Sequence, residues 1–316
     1  MPPPPRKRPV DWGALALLSL LWGGTFIFAK LALTQIAPLT LALARVALAA
    51  AILLLVLRIR KIALPRGGAW PALAGMGLIN NALPFGLIFL GQSLMPASLA
   101  ASLAAILNAT TPLFTVLVAH ALTKDEKLTG QKLAGAAIGF AGVAAMLAPR
   151  LAAGGADAEA PQLLAGMACC LTAACVYAFA GVYGRRFARM GVQPLQVAFG
   201  QSATAALWLI PVVALLERPW TAPTPGATAI LATLALAGVS TALAYLLYFR
   251  LLARVGATNL MLVTFLIPVS AIALGVGLFG ERLGAEHLIG MAGVALGLAL
   301  IDGRAAALFS ARRRAA

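Results

Sequence analysis

Residues 101–143 read ASLAAILNATTPLFTVLVAHALTKDEKLTGQKLAGAAIGFAGV, and residues 265–297 read FLIPVSAIALGVGLFGERLGAEHLIGMAGVALG. The second stretch echoes the first. Sliding the chain against itself by 156 residues aligns Lys30 with Arg186, Pro38 with Pro194, Ser102 with Thr258 and Pro112 with Pro268. After a one-residue gap the shift becomes 155 and aligns Glu126 with Glu281, Leu128 with Leu283, Gly135 with Gly290 and Gly142 with Gly297. The chain is therefore two similar halves in tandem.

Both halves consist mainly of long apolar runs. Of 316 residues, 62% are apolar and 10% charged, where soluble domains carry roughly 25% charged residues. Mean hydropathy is +0.95, so lipid rather than water is the main solvent. A helix rises about 1.5 Å per residue and the hydrocarbon core is about 30 Å thick, so a crossing needs roughly 17–25 apolar residues. Ten stretches qualify: 12–30, 38–57, 69–91, 97–121, 131–149, 162–184, 194–216, 227–249, 258–279 and 285–302. They lack the polar/apolar alternation of barrel strands. The fold class expected is all-α integral membrane, with ten transmembrane helices as two repeats of five.

With the N-terminus inside, 19 Lys and Arg fall on the cytoplasmic side and only Lys30, Arg150, Arg218 and Arg282 outside, the remaining Arg45 lying within a span. That asymmetry places both termini in the cytoplasm of a bacterial-type inner membrane. The opening MPPPPRKRPV resembles the start of a signal peptide, but residues 12–29 are long enough to span, and the repeat needs them as a helix. The expected organisation is a cytoplasmic tail (1–11), a first repeat (12–149), an external linker (150–161), a second repeat (162–302) and a basic cytoplasmic tail (303–316). The net charge of +15 is dispersed in short clusters between spans, which argues against nucleic acid as a partner. Cys169, Cys170 and Cys175 share one apolar run without ligand partners and read as helix-packing residues.

Five spans per half is an odd number, so each element of the second half enters the membrane opposite to its counterpart. Inverted repeats of this kind recur in secondary transporters, where two similar bundles rock about a shared midplane site. LWGGTFIFAK (21–30), PLTLALAR (38–45), the stretch 101–143 and its echo at 265–297 together resemble the EamA-type branch of the drug/metabolite transporter superfamily, over about Trp12 to Asp302. The resemblance implies a ten-helix bundle with a central cavity, moving amino acids or related metabolites, often outward.

Polar side chains inside spans need a reason to be there. The candidates for substrate contact are Trp22, Thr25, Arg45, Asn80, Asn81, Asn108, Tyr177, Gln201, Tyr245 and Thr264. Arg45 is repeat-equivalent to Gln201 and Asn108 to Thr264, so both halves offer polar groups to one cavity. Arg45 suits a carboxylate, which a guanidinium holds bidentately, although an anchoring role is the alternative. Pro112 and Pro268 lie inside matching spans, remove a backbone donor and are candidate hinges. Gly135-x-x-x-Gly139 and Gly293-x-x-x-Gly297 suit close helix packing within the chain, with a homodimer through the fifth and tenth spans as the other reading of an otherwise monomeric protein. Glu126 and Glu281 precede the last span of each half, where a carboxylate is expected to cap the helix it enters.

No span centre carries Asp or Glu, so an ion relay of buried carboxylates has no evident members, and no G-x-x-x-x-G-K-[ST] loop is present for ATP. No cofactor is expected. The competing readings are an integral-membrane lipid-modifying enzyme, which needs clustered acids or histidines at the interface, and a lipid-linked flippase built on the same bundle. The sequence therefore favours a non-enzymatic carrier of a small-molecule substrate.

Overall fold

The computed structural model describes residues 11–124, 126–152, 160–260 and 262–302. The basic clusters at 6–8 and 304–314, Asp125 and linker residues 153–159 lie outside the described residues, as do the side chains of Arg150 and Asn259. The described chain is helical, without strands, and its elements run α1 (Trp12–Ala32), α2 (Pro38–Ile59), α3 (Trp70–Gly77), α4 (Leu83–Ser93), α5 (Ala100–Asn108), α6 (Thr111–Leu122), α7 (Gly130–Ala152), α8 (Ala160–Arg189), α9 (Pro194–Leu216), α10 (Ala227–Ala237), α11 (Ala244–Leu260), α12 (Val263–Phe279) and α13 (Ala285–Asp302). Eight helical stretches among the described residues are long and apolar enough to cross a membrane, and α12 is a shorter apolar helix at the expected ninth position. Helix α7 occupies the expected fifth position. Large apolar side chains such as Leu55, Leu207, Leu215 and Leu278 are more than half exposed, as lipid-facing residues are.

Local chemistry sets the boundaries. The Asp11 carboxylate accepts from the Ala14 amide at 3.1 Å and starts α1. Helix α2 opens on Pro38, whose missing N–H costs nothing in a first turn. The next amides are satisfied from the other half, where Glu217, just past α9, accepts from the amides of Leu39 at 2.9 Å and Thr40 at 2.6 Å. The third expected span is α3 and α4 joined by a π-helical turn at Leu78–Ala82, and the eighth is α10 and α11 joined by one at Gly238–Leu243. The fourth breaks between α5 and α6 at Ala109–Thr110, just ahead of Pro112, so Pro112 sits in the first turn of α6 rather than in mid-helix. Hydroxyls cover the carbonyls there: Thr110 donates to Leu107 O at 2.6 Å and Thr111 to Asn108 O at 2.7 Å. Pro268, by contrast, lies inside α12.

The main packing partners come from opposite halves. Helix α7 packs on α13, α2 on α9, α1 on α12 and α6 on α8. A Cβ on Gly142 would stand 2.8 Å from the Gly290 carbonyl, and one on Gly135 2.7 Å from that of Gly297. Both glycine motifs are thus spent on each other inside one chain, backbone against backbone.

Candidate functional site

The two halves enclose a cavity of about 730 Å³. Its walls are mostly apolar, and its polar side chains converge from α2, α9 and the two π-helical turns. A π-turn inserts one residue into the helical ladder and turns side chains away from their regular phase, and such turns are frequent at functional sites. The first carries Asn80 and Asn81; the second carries Ser240 and Thr241.

Arg45 sits in the wall, 4% exposed. Its Nε donates to Thr241 Oγ1 at 2.9 Å, and the guanidinium carbon lies 3.7 Å from the ring centroid of Phe85. Gln201 repeats that arrangement. Its Nε2 donates to the Tyr245 hydroxyl at 3.0 Å, and its Oε1 accepts from Asn80 Nδ2 at 3.1 Å. Each α2/α9 residue is therefore held by an aromatic side chain from its own half and a π-turn side chain from the other. Tyr177 lines the cavity and, like Tyr245, couples electrostatically to Arg45. Trp22 lines it while packing on Tyr248 with ring centroids 5.5 Å apart.

Thr25, Asn108 and Thr264 also line the cavity, as do Pro112 and Pro268. Thr25 Oγ1, Asn108 Oδ1 and Ser240 Oγ are buried without a hydrogen-bond partner within the protein, all three in residues of the cavity wall. Asn81 is the exception among the expected contacts. It does not line the cavity; its Nδ2 faces Ser202 Oγ at 3.4 Å and its Oδ1 faces Asn80 Nδ2 at 3.4 Å.

The two ends of the cavity differ. Toward Arg185 and Glu126 the lining continues through Gly184, Phe187 and Ala188 to Val192 and Pro194, so on α8 alone the wall runs from Tyr177 to Ala188, about 16 Å of helix. Toward Glu281 it stops at Phe26, Ile88 and Pro268. Four residues beyond Phe26, Lys30 Nζ meets Glu281 Oε1 at 2.8 Å. The same carboxylate accepts from the amides of Ala101 at 3.2 Å and Ser102 at 2.9 Å and from the Ser102 hydroxyl. Glu281 does cap a helix, but the helix is α5 of the first half and not α13, which it precedes. The reason is reach: the backbone turns through Gly280 in the left-handed region (φ 60°) and carries the carboxylate toward the exposed amides of α5. Burial pushes the Glu281 carboxyl pKa upward, but bonds from Lys30 and Ser102 outweigh it and hold it below the ordinary carboxylate value.

At the other end Glu126 pairs with Arg185. Here the carboxylate side chain is 44% exposed, against 0% for Glu281.

The EamA-like transporter family model matches residues 12–148 and again residues 164–302. The chain belongs to the EamA-like transporter family. The uncharacterized inner membrane transporter YedA of Escherichia coli K12 is 27% identical over 92% of this chain and 90% of its own length. An uncharacterized transporter of Archaeoglobus fulgidus is 36% identical over a shorter match, 41% of this chain and 43% of the archaeal protein. A solved crystal structure superposes with a TM-score of 0.62 at 21% identity, covering 92% of this chain and 97% of the other, which speaks for the fold alone. As an EamA-family protein the chain is a multi-pass membrane protein whose relatives carry the name of transporters and not of enzymes.

Ser240 and Thr241 escaped the sequence reading. Between residues 67–93 and 227–253 the repeat shift is 160, not 156, and on that register Asn80 matches Ser240, Asn81 matches Thr241, Phe85 matches Tyr245 and Phe89 matches Phe249. The register returns to 156 because α11 reaches the ninth span through the single non-helical residue Gly256 (φ 77°), where the first half uses the loop 94–99.

Proposed function

We propose that the protein is a secondary transporter of small metabolites, amino acids and related compounds, exporting them by alternating access at the cavity between its two inverted five-helix repeats. The observation that carries this reading is the unequal closure of repeat-equivalent ends. Glu281 and Glu126 occupy matching positions, yet one is sealed into an ion pair and helix cap while the other stands half in solvent beside the cavity mouth. In an inverted repeat, exchanging the two arrangements opens the cavity to the opposite side. The positive-inside asymmetry puts the Glu126 end in the cytoplasm, so this conformation is the inward-open one. Pro112 and Pro268, both in the cavity wall, stand where the rearranging helices need to bend.

The test is counterflow in proteoliposomes loaded in turn with amino acids, organic acids, amines and lipid-linked sugars, with and without a pH gradient. Saturable exchange of a small solute supports the carrier. Movement of lipid-linked substrates alone supports a flippase, and no movement of any member of the panel rejects both.

A further inference from the structure

Charge is distributed very unevenly around the cavity. Among the described residues lining it, Arg45 is the one ionised side chain; Asp, Glu, Lys and His are absent from the wall. The guanidinium is held in one plane by Phe85 and pinned at Nε by Thr241, and its two Nη nitrogens donate to no group of the protein. Of the ion pairs seen among the described residues, none involves Arg45. A buried charge without a counter-charge is unfavourable, and its cost falls when a partner of opposite sign arrives with hydrogen-bond acceptors in the right geometry. The free edge of a guanidinium, two parallel N–H donors, fits one planar oxyanion end-on. Nothing in the wall offers the reverse service to an ammonium beyond the neutral acceptor Asn108 Oδ1 and the aromatic faces.

We propose that the transported solute is recognised through a single carboxylate docked on the Nη edge of Arg45, with its apolar body against Trp22, Phe26 and Tyr248, and that an amino group on the same solute is dispensable. This deepens the carrier reading above and rests on it. It assigns Arg45 a substrate contact, makes Phe85 and Thr241 its positioning residues, and separates two parts of an amino acid that a general amino-acid site treats together. Deaminated acids belong to the substrate class; decarboxylated amines do not.

The experiment uses four probes of one skeleton, 3-phenylpropionate, phenylalanine, phenethylamine and 3-phenylpropionamide, on the full-length protein. Binding is measured by ligand-dependent thermal stabilisation in detergent and by tryptophan fluorescence, and transport by competition in proteoliposomes. The expected result is that the acid and the amino acid bind within about threefold of each other and at least tenfold more tightly than the amine and the amide, tenfold corresponding to about 1.4 kcal/mol. Arg45→Gln abolishes the preference for the acid over the amide, and Arg45→Lys keeps the sign of the preference with reduced affinity. The probe series on unaltered protein carries the test even where a variant folds poorly. Amine or amide binding as tightly as the acid overturns the proposal, as does an Arg45→Gln protein that keeps the acid preference. Saturable transport of neutral or cationic solutes without acid preference overturns it while leaving the carrier intact. Acid-selective binding without transport of any solute supports the recognition and overturns the carrier reading.

Discussion

The Glu281 end and the Glu126 end are made from matching sequence and differ in what surrounds the carboxylate. Glu281 has an ammonium, a hydroxyl and two helix-terminal amides and is wholly shielded from solvent; Glu126 has Arg185 and an open mouth beside it. A carboxylate cage of that kind is worth most where water is excluded, because the desolvated charge then depends on every one of its partners. The difference teaches that closure in this protein is a matter of assembling partners around an acid already in place.

The largest effect is expected from removing the acid at the closed end. Glu281→Gln leaves Lys30 as a buried cation without its partner, and breaking a buried pair from one side costs about 3–5 kcal/mol. A cysteine placed at Ala101 in a background without Cys169, Cys170 and Cys175 is expected to react with a water-soluble maleimide at least tenfold faster in the Glu281→Gln protein. Unchanged labelling breaks the comparison. Ser102→Ala removes a single hydroxyl donor from the cage, with an expected loss of about 1 kcal/mol and a smaller rise in labelling.

Acid sharpens the same contrast. The Glu281 pKa is depressed in the folded protein, so its contribution to closure is complete above the ordinary carboxylate pKa and is lost only as pH falls through the lower folded value. Labelling at the Glu281 end is expected to stay flat from about pH 8 to about pH 5 and to rise only in stronger acid. A rise between neutral pH and about pH 6 contradicts this sign.

Pro112→Ala and Pro268→Ala are each expected to slow transport severalfold while expression and membrane insertion stay normal. Full activity in both variants removes them as hinges. The smallest effect falls on the open end, where Glu126→Gln breaks a half-exposed pair worth less than about 1 kcal/mol in this state. It is expected to leave the melting temperature nearly unchanged and to slow exchange, because Glu126 is needed for closure of its own end.

Much of this was legible in the residues. Glu126/Glu281, Pro112/Pro268 and the glycines of the fifth and tenth expected spans are fixed by a shift of 155–156, which survives because helices pack at constant rise. Arg45 and Gln201 were paired by the same register. What sequence did not reveal depends on contacts between halves. The partner of Arg45 on the second π-turn is hidden by a local shift of 160, and the α5 amides capped by Glu281 lie 179–180 residues away in the chain. Asn81 was misread for a different reason: in an apolar run an amide reads the same whether it faces a solute or a neighbouring hydroxyl, and here it faces Ser202.

The glycine seam between α7 and α13 has a mechanical corollary. Where main chain lies on main chain, as at Gly135 beside Gly297 and Gly142 beside Gly293, there are no rotamers to absorb a sideways slip. The remaining helices have side chains at their contacts and therefore slack. Motion that reshapes the cavity accordingly has a fixed axle along one edge of the protein, and a bulky residue set into that axle jams the machine far from any solute.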